Sequence, residues 1–346
     1  MKVEQHKNLQ EYNAFRLPVY ADTWVEYESF DDLYNASYQY KYQPRLLMGG
    51  GTNMLFLEDF HGVVYHSVRK QIEPVWEWDD KVIVLVGSGV AWDDLVAYTV
   101  EKGWCGLENL SGIPGDVGAA AVQNIGAYGV EVKDVLNRVE TFDFGLRRFL
   151  VFDDLECEYE YRKSIFKNPE KLKGQIAMLD VAFLLTKTFT PKLGYGALRN
   201  AFPEGTEVTQ KMVRDYILAL RDSKLPDQKV MGNAGSFFLN PVVEESVFRQ
   251  LKEKHPDLPS YAAPNGVKLS AAWLIDQCGW KGKKLGGAGV YEKQPLVIVN
   301  LGNATADDIR TLSQDIQDSV KERFGVELHP EVEMVKTPEK RKYWSF

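Results

Sequence analysis

The heptapeptide Tyr161-Arg162-Lys163-Ser164-Ile165-Phe166-Lys167 gathers three cations and two hydroxyls in a chain that is acidic as a whole. Arginine offers a planar fork that holds a carboxylate through two bonds, so Arg162 is a candidate for steadying negative charge on a substrate. A solvated charged loop would have the same composition. Gly232-Asn233-Ala234-Gly235-Ser236-Phe237-Phe238-Leu239-Asn240-Pro241 sets one hydroxyl between a small-residue turn and an aromatic pair. No Gly-x-Ser-x-Gly elbow surrounds Ser236, which argues against acyl transfer, and a serine capping its own turn is the plainer alternative. Leu328-His329-Pro330-Glu331-Val332-Glu333 presents a carboxylate just after a proline, a pattern equally suited to an exposed edge strand.

Two small-residue stretches could take a flat or anionic ligand. Gly49-Gly50-Gly51-Thr52-Asn53 lets backbone N–H groups approach a phosphate and adds two side-chain donors, or is a simple turn. It lacks the Gly-Lys-[Ser/Thr] of a P-loop, and neither it nor the Gly87/Gly89 pair completes Gly-x-Gly-x-x-Gly. The second stretch runs Ser111-Gly112-Ile113-Pro114-Gly115-Asp116-Val117-Gly118-Ala119-Ala120-Ala121, then Gln123-Asn124-Ile125-Gly126-Ala127-Tyr128-Gly129. Two such loops in succession suit the pyrophosphate and ring system of a dinucleotide; an Ala/Gly packing surface is the alternative.

The chain has 346 residues, enough for two or three domains, and a formal net charge of −8. With 45% hydrophobic and 26% charged residues it is neither disordered nor fibrous. Its acidity argues against nonspecific nucleic-acid binding, so the positive charge needed for an anionic ligand must be local, at Arg162, Lys163, Lys167, Arg221 and Lys224. Cys105, Cys157 and Cys278 form no CxxC pair, and the five histidines show no metal-ligand spacing, so reduced thiols and no metal are expected. No apolar leader and no run of roughly 20 apolar residues is present, pointing to a cytoplasmic protein.

The elements that must position these residues alternate in type. Strands are predicted at 45–48, 54–57, 62–65, 81–86, 139–144, 149–152, 176–185, 296–300 and 326–335. Helices are predicted at about 92–102, 207–221, 243–254, 270–278 and 306–324, with loops at 255–267 and through 103–131. Leu225-Pro226 breaks the 207–221 helix and marks a domain boundary. The mixture points to α+β domains.

Taken together, GGGTN, SGIPGDVGAAAVQNIGAYG, YRKSIF, KLP with GNAGSFFLNP, and LHPEV resemble the UDP-N-acetylenolpyruvoylglucosamine reductase family in order and spacing, from about Asn13 to Val335. The segments holding Tyr195 and Tyr261 resemble its longer, type I subgroup. The resemblance implies noncovalent FAD in a two-part region of the vanillyl-alcohol oxidase type, formed by residues 1–67 with 332–346 and by 68–222, plus a C-terminal α+β substrate-binding domain over 223–331. It implies that Gly49, Gly50, Gly51, Thr52 and Asn53, with Ile113, Pro114, Gly115 and Gly118, hold the FAD pyrophosphate. Gln123, Asn124, Gly126 and Ala127 would lie along the flavin, with Arg221 nearby. Tyr128, Tyr195, Lys224, Asn240, Tyr261 and Gln294 would contact the UDP-sugar.

The implied reaction uses NADPH to reduce the enolpyruvyl ether in bacterial peptidoglycan precursor synthesis, and a monomer with no nucleic-acid or membrane partner is expected. Arg162 and Glu331 would steady the substrate carboxylate while Ser236 protonates C2. Ala14, Leu239 and Glu333 depart from the family's usual residues. An FAD-dependent oxidase of the same fold and a noncatalytic nucleotide-sugar binding module remain alternatives, the first disfavoured by the lack of histidine in 103–131 as a covalent flavin anchor.

Overall fold

The computed structural model describes residues 1–338. The charged tail beyond them, part of the expected 332–346 segment, lies outside the described residues.

Strand β1 (Lys2–Asn8) pairs antiparallel with β2 (Tyr20–Tyr27). Helix α1 (Phe30–Gln39) begins at a capping box in which Ser29 and Asp32 satisfy each other's backbone N–H. β3 (Arg45–Met48) delivers the glycine loop, β4 (Met54–Phe56) leaves it, and β5 (Phe60–Ser67) closes a mixed sheet of order β1-β2-β5-β3. Gly51 has φ +63° and its α-carbon faces Tyr12 so closely that a Cβ would sit 1.9 Å from the Tyr12 carbonyl oxygen. Only glycine fits there.

The second unit is an antiparallel sheet flanked by helices. β6 (Ile72–Glu77) and β7 (Lys81–Gly87) precede α2 (Trp92–Glu101), α3 (Val117–Gln123) and the short hairpin β8 (Gly126–Ala127) and β9 (Val130–Glu131). β10 (Leu136–Asp143), β11 (Arg148–Asp153) and β12 (Ile176–Thr186) complete the order β11-β10-β12-β7-β6. β12 is buried on both faces, which explains its unbroken apolar run. One face packs Trp92, Leu95, Val117 and Ala121 of the helices; the other sets Phe142, Phe144 and Leu179 against Val25, Leu33 and Tyr65 of the first unit.

α4 (Gln210–Lys224) leads into the third unit. There β13 (Asn233–Ser236), β14 (Val242–Val243), α5 (Glu245–Lys254), β15 (Ser260–Ala263), β16 (Gly266–Leu269) and α6 (Ala271–Gln277) follow in order. After them come β17 (Lys284–Leu285), β18 (Ala288–Val290), β19 (Val297–Asn300) and α7 (Ala306–Phe324). The sheets run β13-β19-β18-β17 and β14-β16-β15. β20 (Glu333–Val335) then returns to pair in parallel with β4. One core joins Phe15, Trp24 and Phe56 of the first unit to Phe237, Ile309 and Ile316 of the third.

Four elements differ from expectation. α4 starts at Gln210, where the Thr209 hydroxyl accepts from the Met212 N–H, and runs on to Lys224. The expected loop 255–267 contains the β15–β16 hairpin, whose strands are short and half exposed, so they carry little apolar signal. The stretch 103–131 contains α3, too short and too rich in alanine to show a stripe. Of the expected strand 326–335 only Glu333–Val335 is strand, since Pro330 has no N–H for a ladder. Among the described residues no helix is long and apolar enough to cross a membrane.

Candidate active site

A cleft of about 740 Å³ lies where the three units meet, within the usual range for small-molecule sites. Its walls include Thr52 and Asn53 from the glycine loop, Gly112 to Asp116 before α3, Gln123 at the end of α3, and Gly126 and Ala127 of β8. Arg162, Arg221 of α4, Ser236 of β13, Asn240 and Glu331 close it. A second chamber of about 380 Å³ shares Gly126, Ala127, Arg162 and Asn240 and adds Tyr128, Tyr195 and Lys268.

The three expected catalytic residues converge here. The Arg162 guanidinium donates from Nη2 to the Gly126 carbonyl at 2.7 Å and from Nη1 to the Asn124 carbonyl at 3.3 Å. Its Nε lies 2.9 Å from Glu331 Oε1 as an ion pair, yet the Nε–H has no aligned acceptor in the protein. Arg162 itself has φ +57°, a left-handed backbone that non-glycine residues rarely adopt and that turns its side chain inward. Glu331 reaches the cleft because its N–H donates to the Phe237 carbonyl at 2.8 Å, which places it one residue from Ser236 across the bridge between chain segments. Asn53 ties the wall together, donating from Nδ2 to Gln123 Oε1 at 3.0 Å and to the Glu331 carbonyl at 3.1 Å. The other cations of the heptapeptide act differently from expectation. Lys163 turns outward to Glu160 at 3.2 Å, and Lys167 braces the Arg162 carbonyl at 3.3 Å, its ammonium pulled below the usual lysine range by burial.

A relay of charge fixes the loop before α3. Asp93 on α2 accepts from Arg214 on α4 at 2.6 and 2.8 Å and from the Gly112 N–H at 2.6 Å. Burial opposes ionisation of Asp93, but the Arg214 and Gly112 bonds outweigh it and hold the carboxyl below the usual range. Arg221 donates from Nε to the Gly112 carbonyl at 3.0 Å and presents the rest of its guanidinium to the cleft; burial lowers its pKa. Opposite, Gly115 has φ +114° and faces the Thr52 hydroxyl, which would lie 2.9 Å from a Cβ on Gly115. A channel walled largely by small residues, Gly112, Gly115, Ala119, Ala120, Gly126 and Ala127, and flanked by the Thr52 hydroxyl and the buried Arg221 guanidinium, fits the diphosphate and flavin ring of FAD.

Not every expected contact lines these chambers. Gly49, Gly50 and Gly51 are not among the lining residues of either chamber, and Gly51 lies against Tyr12. Gly118 packs on Ser88 and Met178, and its N–H is spent on the Ser88 carbonyl at 2.9 Å. Asn124 is a buried helix cap with φ +45°, donating to Glu131 and to the Glu160 carbonyl. Lys224 is exposed at the end of α4, and Gln294 turns its amide oxygen to the Leu296 N–H. Tyr195 and Tyr261 stack at 5.5 Å beside the second chamber, on rings nearly parallel. Asp116, Tyr161 and Lys268 line the chambers without having been singled out; Asp116 lay inside a quoted motif, whereas Lys268 had no local signal. Of the departures, Ala14 is buried with its N–H on the Gly51 carbonyl, and Glu333 pairs with Lys173 at 2.8 Å.

A two-part mixed-sheet region enclosing a glycine-walled cleft, with a third α+β unit over it, defines an FAD-binding oxidoreductase. Residues 31–144 match an FAD binding domain, and residues 226–335 match the C-terminal domain of UDP-N-acetylenolpyruvoylglucosamine reductase. The UDP-N-acetylenolpyruvoylglucosamine reductase of Bacteroides fragilis is 46% identical over 335 residues, covering 96% of this chain and 100% of the relative. That of Neisseria gonorrhoeae is 44% identical, covering 95% and 96%. The chain therefore belongs to the UDP-N-acetylenolpyruvoylglucosamine reductase family. Among solved structures, the crystal structure of UDP-N-acetylenolpyruvylglucosamine reductase from Thermus caldophilus superposes with a TM-score of 0.69 at 25% identity, over 97% of this chain and 100% of that one. The 6-hydroxy-D-nicotine oxidase of Arthrobacter nicotinovorans, at TM-score 0.51 and 10% identity over 94% and 86%, shares the fold alone.

Proposed function

We propose that this chain reduces UDP-N-acetylglucosamine enolpyruvate to UDP-N-acetylmuramate, with NADPH and a proton consumed and NADP⁺ released, in bacterial peptidoglycan precursor synthesis. The observation that carries the reading is the meeting of Arg162, Glu331 and Ser236 on one cleft whose wall is rich in glycine and alanine. When bound, noncovalent FAD supplies the redox chemistry between NADPH and the enolpyruvyl double bond.

Arg162 and Glu331 take the substrate carboxylate. The guanidinium is already held by two backbone carbonyls, so it meets developing charge without reorganising, and a donor placed this way is worth roughly 10²–10³ in rate. The Nε–H, lacking an aligned partner in the protein, is the donor left for that carboxylate. Ser236 Oγ–H gives its proton to C2 of the substrate. Asn53 fixes the Glu331 segment against α3 and so sets the distance between acid and guanidinium.

Thr52, Asn53, Ile113, Pro114, Gly115 and Arg221 hold the FAD diphosphate end, and Gln123, Gly126 and Ala127 border the flavin. Asn240 and the three tyrosines 128, 195 and 261 receive the UDP-sugar in the second chamber; Lys224 and Gln294 are assigned to it by family resemblance. Residues 1–67 with 332–346 and residues 68–222 form the cofactor region, and 223–331 the substrate region. The protein acts as a cytoplasmic monomer without nucleic-acid or membrane partners.

Steady-state NADPH consumption by the purified yellow protein tests the reading. Turnover that requires the enolpyruvyl substrate supports it. Turnover that requires only oxygen assigns an oxidase, and no turnover leaves a binding module.

A further inference from the structure

Asp116 lines the cleft next to Gly115, at the start of α3. Its Oδ2 is 3.4 Å from where a Cβ of Gly49 would be, and its Oδ1 3.7 Å from that of Gly50. The carboxyl thus lies against the first glycine loop, and Asp116 and Thr52 both line the cleft. Asp116 occupies the position preceding α3 in extended backbone, where an aspartate ordinarily accepts from the helix N–H groups, yet its side chain makes no such bond. Its carbonyl is committed to the frame, accepting from the Ala120 N–H at 2.9 Å. Among the described residues the carboxyl has no hydrogen bond and no ion pair.

The groups around it do not neutralise it. Lys70, between β5 and β6, is the cation that acts on it, but the Lys70 ammonium is bonded to the Gly89 carbonyl. Tyr27 on β2 feels Asp116 but donates its hydroxyl to the Met178 carbonyl at 2.9 Å. His66 on β5, beside Gly49, is kept neutral by burial, with Nδ1 3.2 Å from the Met48 carbonyl. α2, whose Trp92 N–H bonds the Gly115 carbonyl, and α3 bring no further cation to Asp116.

We propose that Asp116 engages the diphosphate of the dinucleotide as a neutral carboxylic acid, donating a hydrogen bond to a phosphate oxygen, so that cofactor binding carries a proton into the protein. This rests on the reading that the diphosphate lies beside Thr52 and Gly115, which line the cleft with Asp116. A carboxylate and a phosphate brought into hydrogen-bond contact repel each other unless a proton or a counter-ion lies between them. Burial already pushes the Asp116 carboxyl up to about 6, the direction in which a neighbouring phosphate would push it further. The diphosphate diester keeps its charge over the same range, so the proton resides on the protein.

The sign follows from linkage. The bound form holds the proton more tightly than the free form, so affinity is constant below about pH 6 and falls about tenfold per pH unit above it. The holoprotein is diluted in series between pH 5.5 and 8, and released FAD is measured by its fluorescence after ultrafiltration. The dissociation constant of the natural protein is expected to rise about 50-fold from pH 6 to pH 8. Asp116→Asn, with Asp116→Ser as a second variant, is expected to vary less than threefold and to hold FAD more tightly than the natural protein at pH 8. A flat profile in the natural protein, or the same slope in both variants, overturns the proposal. So does recovery of affinity at pH 8 by magnesium, which would make the bridge a cation. Gly50→Leu separates the two readings, because its Cβ makes only ordinary contacts with Gly115, Thr52 and Asp116, the three residues the reading sets around the diphosphate, and the longer side chain crowds them. If Gly50→Leu retains FAD, that placement of the diphosphate fails and the proposal with it. If Gly50→Leu loses FAD but no pH slope exists, the placement stands and the proton does not.

Discussion

Arg162→Lys tests whether geometry or charge at the head of the cleft matters. Replacement by alanine would leave Glu331, whose side chain is 17% exposed, without its partner, and a broken buried pair costs about 3–5 kcal/mol in stability. That outcome would confuse misfolding with chemistry. Lysine keeps the charge beside Glu331 but replaces a fork of donors by a single point. The fork reaches two carbonyls, at 2.7 and 3.3 Å, while its Nε faces Glu331. An ammonium in the same space serves one of these carbonyls at most, so one charge-assisted bond is forfeited, about 1.5–3 kcal/mol. If that bond positions the donor for the transition state, the substrate-driven step slows about 10- to 150-fold. Anaerobic rapid mixing separates the two half-reactions by flavin absorbance. Bleaching by NADPH is expected within threefold of the natural protein, and the return of colour on adding the enolpyruvyl substrate is expected to slow by the stated factor. Recovery of colour within threefold in a variant with an unchanged melting temperature would refute the argument.

Ser236→Ala should leave NADPH-driven bleaching intact and slow substrate-driven recovery by about 10²–10⁴, the usual reach of a positioned acid; unchanged recovery in rapid mixing would remove Ser236 from proton transfer. Gly51→Ala forces a side chain into φ +63° with its Cβ 1.9 Å from the Tyr12 oxygen, so the left-handed backbone alone costs about 1–2 kcal/mol before the clash. A thermal melt should show a clear fall, and an unaltered midpoint would contradict the contact. The folded-state pKa of Asp93 lies below its ordinary value of 3.8, so its stabilisation is full above that value and disappears as pH falls through the depressed one. Asp93→Asn is therefore expected to be less stable than the natural protein at pH 6, with the gap closing below about pH 4 in melts across that range; a constant gap would show that the ion pair with Arg214 is not the source. Binding of the anionic UDP-sugar should weaken with added salt, because Arg162 and Lys268 line the second chamber of a chain carrying −8 overall; a flat salt profile would deny these cations a role.

Periodicity located the long elements well. α7 occupies 306–324 as its stripe, its Thr305–Asp308 box and its Gly325 stop require. Strands buried on one or both faces, such as β7 and β12, stood out for the same reason. Signal failed where burial is partial or side chains are small, at the β15–β16 hairpin and at α3. The convergence of Arg162, Glu331 and Ser236 was available through motif order, but their joining contacts were not. Asn53 meets the Glu331 carbonyl across 278 positions, and no local pattern encodes such a bond. Gly118 and Asn124 show the opposite error: a motif residue can serve the wall by packing or capping without touching the cleft. Asp93 and Arg214 escaped notice because each is an ordinary charged residue on a helix, and only tertiary packing turns them into a clamp on Gly112.

The most direct measurement is anaerobic mixing of the NADPH-reduced protein, freed of nucleotide, with UDP-N-acetylglucosamine enolpyruvate. The account predicts that the yellow colour returns with one UDP-N-acetylmuramate formed per flavin. A protein that stays bleached until oxygen is admitted would contradict it.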